Sequence, residues 1–197
     1  MQIKALLITP LVAAGVVSAA PKASSTPKVT YFQGLALRSA SPIHFNYLQA
    51  AQESFSLKLK DQDSSCYDGK KHNEATFQLY GDELWLYSIG NPRQQAYVDF
   101  SGMGQGKFGF TTGVQPAPKN AQRTGWKIDK DGILTNGGSN FVACPNSDDL
   151  EKTSWSVWVY NSIDNPGGNK NCVPFTVKAA TVKEPVACSY APVLPSV

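Results

Sequence analysis

Short runs of alternating apolar and polar residues, each stopped by Gly, Pro, Asn or Asp after about ten residues, leave this chain little room for long helices. Thr76-Phe77-Gln78-Leu79-Tyr80 alternates and halts at Gly81-Asp82, and residues 83–88 resume the pattern. Two strands around a short Gly-Asp turn make a hairpin. Residues 95–100, 107–111, 141–144 and 154–160 read as further strands, and residues 175–178 are expected to close the sheet. A second hairpin of the same style, with a turn at Asp131-Gly132, begins at Trp126, 49 residues after Phe77. That spacing lies in the range of structural repeats. The expected fold is therefore all-β, one compact barrel-like domain of β-trefoil-like or sandwich type. The one stretch compatible with a helix is 45–57, where Leu48, Ala51, Gln52 and Phe55 fall near one face.

The N-terminus reads as an export signal. Lys4 supplies a positive start, residues 5–17 form an apolar run, and Val17-Ser18-Ala19 offers the small-residue cleavage pattern. The run is shorter than the roughly 20 residues that span a bilayer, so no membrane association is expected after cleavage. The chain divides into a signal (1–19), a Ser/Pro-rich spacer (20–28), one domain (29–190) and a tail (191–197). That tail is too short for a GPI signal. Removal of Lys4 lowers the net charge of +3 by one. A balance this weak, without a basic run, excludes nucleic acid as a partner class.

Cys66, Cys144, Cys172 and Cys188 all follow the signal, which implies two disulfides formed in an oxidising compartment. Four cysteines allow three connectivities. Cys66–Cys144 with Cys172–Cys188 is favoured, because the second bond pins a Pro-bounded C-terminal segment to its neighbour. No pair has CxxC spacing and neither His44 nor His72 stands at ligand spacing to a cysteine or to the other histidine, so no metal is expected.

The candidate motifs for chemistry are poor. Residues 104–109 satisfy GxGxxG, but the following residues alternate like a strand and then reach Pro116 and Pro118. A dinucleotide site needs a helix N-terminus there, so these glycines are expected to form a tight bulged turn and no cofactor is implied. No GxSxG elbow occurs, and His72 sits in a charged loop. Glu53, Glu74, Glu83 and Glu151 carry no context that marks a glycosidase pair. Binding is the more plausible use of the surface. Trp155 and Trp158 are three apart in a strand and must face opposite sides, which leaves Trp158, with Trp85, as candidates for stacking on sugar rings. The long connection 112–125 offers Gln115, Lys119 and Asn120 as further contacts for glycan or protein.

Residues 99–126, DFSGMGQGKFGFTTGVQPAPKNAQRTGW, together with ACPNS at 143–147, WSVW at 155–158 and NPGGN at 165–169, closely resemble the secreted fungal PhiA-like family. The resemblance covers nearly the whole mature chain. It implies a secreted, non-enzymatic cell-wall protein tied to phialide and conidium development, hence asexual sporulation, with some members linked to stress protection. The implied partners are wall polysaccharide or wall proteins. A more distant likeness, to the four-cysteine C-terminal domain of yeast wall proteins with internal repeats, rests on GW-x-I-x-x-x-G-x-L before a Cys. The Gln-bearing repeats that ester-link those proteins to glucan are missing here, so that attachment is not expected.

Overall fold

The computed structural model describes residues 28–190, so the expected signal, the spacer apart from Lys28, and the tail lie outside the described residues. Fifteen strands follow one another: β1 (Val29–Leu37), β2 (Gln49–Ala51), β3 (Ser54–Leu57), β4 (Ser64–Cys66), β5 (Thr76–Tyr80), β6 (Glu83–Leu86), β7 (Gln94–Asp99) and β8 (Lys107–Thr112). Then come β9 (Ala121–Gln122), β10 (Trp126–Ile128), β11 (Ile133–Asn136), β12 (Phe141–Pro145), β13 (Trp155–Val159), β14 (Val173–Thr181) and β15 (Cys188–Tyr190). One 3-10 turn, Pro166–Gly168, is the helical element among them.

Hydrogen bonding runs β1-β5-β6-β7-β8-β3-β13-β12-β14 and returns to β1, a closed ring of nine strands. The expected compact barrel forms as a closed ring and not as two packed sheets, and residues 175–178 close it as expected, within β14. The two similar hairpins occupy different places: β5–β6 lies in the ring, whereas β10–β11 hangs on β14 through Ile133↔Lys178 and Leu134↔Val177. Closure matters because a closed sheet leaves no open edge along the ring.

The barrel is filled by aromatic rings supplied by the inward half of each alternation. Phe55 stacks on Phe108 with centroids 4.0 Å apart, and Phe77 and Phe32 extend the chain at 5.5 and 5.4 Å. In the other direction Phe108 meets Trp126 at 5.0 Å and Phe141 at 5.8 Å. All six are fully buried. In β13 the inward residues are Trp155, Val157 and Val159, which puts Trp158 outside as its spacing requires.

Two expectations fail. Residues 45–57 are not helical; β2 and β3 form a hairpin that turns at Gln52 (φ 50) and Glu53 (φ 57). Two successive left-handed residues make a primed turn, which suits the twist of a hairpin. The buried apolar residues are Leu48 and Ala50, then Phe55 and Leu57, two period-2 pairs that stand seven apart across the turn and so mimic a helical stripe; Gln49 is buried between the first pair.

The second failure is the disulfide pairing. The bonds are Cys66–Cys188 and Cys144–Cys172, not Cys66–Cys144 with Cys172–Cys188. Strand pairing decides it. β4 and β15 form a separate two-stranded sheet in which Cys66 lies directly opposite Cys188. In the ring, Ala143 is opposite Val173, so Cys144 and Cys172 are neighbours on the adjoining strands.

The C-terminal strand is held by more than sulfur. The Gln94 amide brackets Tyr190, Nε2 donating to its carbonyl at 2.8 Å and Oε1 accepting from its N–H at 2.9 Å. The Thr76 N–H donates to the Tyr190 hydroxyl at 3.0 Å. Burial pushes the Tyr190 phenol up to about 12, against the opposing effect of that hydrogen bond.

Two measurements follow from this arrangement. Peptide mapping without reduction should yield the Cys66–Cys188 and Cys144–Cys172 pairs. Removing each bond singly by a pair of Cys→Ser substitutions should lower the free energy of unfolding by about 5 kcal/mol for the 122-residue span and about 3.5 kcal/mol for the 28-residue span, on chain entropy alone. Because the folded phenol holds its proton more tightly than the unfolded one, Tyr190 contributes stability that is intact below its ordinary value of 10 and is lost as pH rises toward about 12. A Tyr190→Phe variant should show a shallower alkaline decline in melting temperature.

Candidate functional site

The segment joining β7 to β8 is a self-tied loop. The Ser101 N–H donates to Asp99 Oδ1 at 2.9 Å, Gly104 N–H to Ser101 Oγ at 3.1 Å, and Gly106 N–H to the Asp99 carbonyl at 2.8 Å. Gly106 has φ +89, and a Cβ there would lie 2.0 Å from the Val159 carbonyl oxygen. Only glycine lets the loop run against β13, where Val159 N–H donates to the Gly106 carbonyl at 2.8 Å. The GxGxxG residues thus form the expected tight connection between strands.

This loop grips the NPGGN turn. Gly167 N–H donates to Gln105 Oε1 at 2.7 Å, and Asn161 Nδ2 donates to the Phe100 carbonyl at 3.2 Å. Gly167 in turn lies against Trp158, since a Cβ on it would come within 2.7 Å of the ring. Trp158 also donates from Nε1 to Ser156 Oγ at 3.2 Å. Two motifs whose contacting residues are 62 apart in sequence therefore meet over one half-buried tryptophan.

Trp85 is capped in a different way. The Arg93 guanidinium sits 4.7 Å from its ring centroid, and Arg93 Nη2 donates to Gln78 Oε1 at 3.1 Å. Trp85 Nε1 donates to Glu83 Oε2 at 3.2 Å. Neither tryptophan chosen from the sequence is an open platform: one carries a backbone turn and the other a cation held by a cation–π contact.

The 112–125 connection is more ordered than its composition implies. Gln115 spends its amide on the protein, with Nε2 donating to Glu53 Oε1 at 2.7 Å and Oε1 accepting from Thr112 N–H at 3.0 Å. Lys119 and Asn120 are exposed on a turn closed by Ala121 N–H to the Pro118 carbonyl at 2.9 Å. Arg123 pins the return through Gln95 Oε1 at 2.9 Å and Thr111 Oγ1 at 2.8 Å. Of these three candidates, two stay available to a partner.

The acids are dispersed. Glu53 binds Gln115, Glu83 binds Trp85, and Glu74 faces His72. His72 lies between Asp68 at 2.8 Å and Glu74 at 3.4 Å, less solvated than a charged loop suggests. The hydrogen bond to Asp68 holds its imidazole above the ordinary histidine value, burial opposing and Glu74 adding to it. Among the described residues no group of three or more His, Cys, Asp and Glu is placed to hold a metal ion. None of the described helices is long and apolar enough to cross a membrane.

What sequence reasoning missed is a groove of about 650 Å³ beside the NPGGN turn. It is lined by Ser139, Asn140, Tyr160, Asp164, Cys172 and Pro174, among others. The Tyr160 N–H donates to the Asn140 carbonyl at 2.8 Å, so the residue just before β12 and the one just after β13 are brought side by side. The Cys144–Cys172 bond anchors the segment that carries Asp164.

Gly106→Ala should destabilise the fold by at least about 2 kcal/mol, seen as a melting temperature lowered by roughly 4–8 °C, because the new methyl meets a backbone oxygen at a left-handed position. His72 contributes stability that is complete below about 6.5 and is lost as pH rises through its raised folded value. His72→Gln should remove that neutral-range slope from a plot of melting temperature against pH.

Residues 32–191 match the PhiA-like secreted protein family. The chain is 38% identical over 190 residues to cell wall protein phiA of Aspergillus fumigatus, covering 96% of this chain and 99% of that one. Its similarity to cell wall protein phiA of Aspergillus niger is 38% over 190 residues, 96% and 98% of the two chains. To the protein of that name in Emericella nidulans it is 39% over 173 residues, 87% and 91%. No solved structure matches the chain. A match over residues 32–191, the span that holds both glycine motifs and all four cysteines, makes this chain a member of the PhiA-like secreted protein family.

Proposed function

We propose that this protein is a non-catalytic component of the fungal cell wall that supports phialide and conidium formation. The observation that carries the reading is its near-full-length similarity to relatives named cell wall protein phiA. A closed, doubly cross-linked barrel suits a lasting part of an extracellular matrix, since each bond restricts the unfolded chain. Retention is noncovalent, through wall polysaccharide or wall proteins. All four cysteines are spent within the chain, so no thiol remains to tether it. A second reading, a carbohydrate-binding module or effector that engages wall glycans, is favoured by the groove beside Tyr160.

Washed hyphal walls extracted with hot detergent should release the protein; a need for glucanase or mild alkali would overturn noncovalent retention. Deletion of the gene should reduce phialide number and conidial yield while hyphal growth persists. Normal conidiophores in the deletion strain would remove the developmental role.

A further inference from the structure

The groove between the 138–140 turn and the 161–172 segment collects polar groups that the protein does not use for itself. Among the described residues, the side chains of Ser139, Asn140, Tyr160 and Asp164 take part in no hydrogen bond with the protein, whereas the neighbouring Asn165, Asn169 and Ser156 spend theirs on backbone groups. The buried Gln49, Gln62 and Gln94 are by contrast occupied by backbone or side-chain partners. Tyr160 is 38% exposed and stacks on no other ring. Its ring is therefore free on the groove side, in contrast to Trp85 beneath Arg93 and Trp158 beneath Gly167.

The chemistry of the lining selects a ligand class. The groove holds one carboxylate, one carboxamide, one aliphatic hydroxyl, one phenol and an apolar floor contributed by Val142 and Pro174. A carboxylate accepts from two hydroxyls, a carboxamide both donates and accepts, and a phenol face packs on C–H groups. No Lys, Arg or His lines it, which disfavours a phosphate or a uronic acid. A single carboxylate without neighbouring acids is far short of the six to eight oxygens that calcium requires. The volume falls within the range of roughly 300–1,000 Å³ typical of small-ligand sites.

We infer that this groove is a binding site for a neutral oligosaccharide of hexose or N-acetylhexosamine, with Tyr160 stacking on a sugar ring and Asp164, Asn140 and Ser139 reading its polar groups. This deepens the glycan-binding side of the function proposed above and rests on it. The site is held by two independent constraints: the Asn140–Tyr160 backbone bond sets the ring and the amide side by side, and the Cys144–Cys172 bond fixes the segment bearing Asp164.

The test is calorimetric titration of mature protein with laminarihexaose, chitohexaose and mannohexaose, repeated with Tyr160→Ala and Asp164→Asn. Both positions are exposed, so melting temperatures should stay at the wild-type value. At least one of the three sugars should bind, and each substitution should weaken that binding about fivefold to tenfold. Binding that neither substitution changes would place the sugar elsewhere and overturn the inference. So would no binding of any of the three at millimolar concentration. If, in that last case, the protein still remains with washed walls, the groove assignment falls while wall residence stands; protein lost to the medium as well would fell both.

Discussion

The pairing of β1 with β14 is the constraint on which the rest depends. Six residue pairs, from Phe32↔Thr181 to Leu37↔Thr176, join the first strand of the domain to one near its end. Without that ladder the nine strands would be an open, strongly twisted sheet with two long unpaired edges and a half-covered aromatic face. With it, Phe32, Phe55, Phe77, Phe108 and Phe141 become the contents of a sealed cylinder. The same closure brings distant parts of the chain together late, because the loop entropy must be met before the contacts form, and such topologies fold slowly. The cross-link between residues 66 and 188 acts on that difficulty by shortening the effective separation of the two ends.

Much of the barrel was legible in the sequence, and the reason is local. The hairpins at Gly81-Asp82 and Asp131-Gly132 announce themselves, since glycine is the residue that a tight reversal favours and period-2 burial flanks it on both sides. The β2–β3 hairpin has no such signal: its left-handed turn is made by Gln52 and Glu53, which composition gives no reason to place there. Tertiary context supplies the reason, because Phe55 and Leu57 reach the core only if the chain reverses at that point. The disulfides were legible as a count and not as a pattern. Which cysteines meet depends on the β4–β15 and β12–β14 registers, and those are long-range pairings.

The candidate site shows the same division more sharply. Large aromatics are conspicuous in a sequence, and Trp85 and Trp158 are candidates on that ground. Each carries a contact within the protein, Trp85 a seat for Arg93 and Trp158 a bed for Gly167. The glycine-rich motifs that carry the family resemblance likewise serve geometry: Gly106 and Gly167 allow one loop, one turn and one strand to touch without clash. By contrast Ser139, Asn140, Tyr160 and Asp164 belong to no motif. They become a site only once the Tyr160 N–H meets the Asn140 carbonyl, a contact that no spacing rule announces.

The span enclosed by Cys66 and Cys188 has a consequence for survival outside the cell. It contains the 112–125 connection, whose residue Val114 is fully exposed and so open to a protease. A nick there releases nothing, because both halves remain joined through sulfur and through the ring of strands on either side. Degradation then requires cuts on both sides of a cross-link, so the domain can be wounded by secreted proteases without being dismantled.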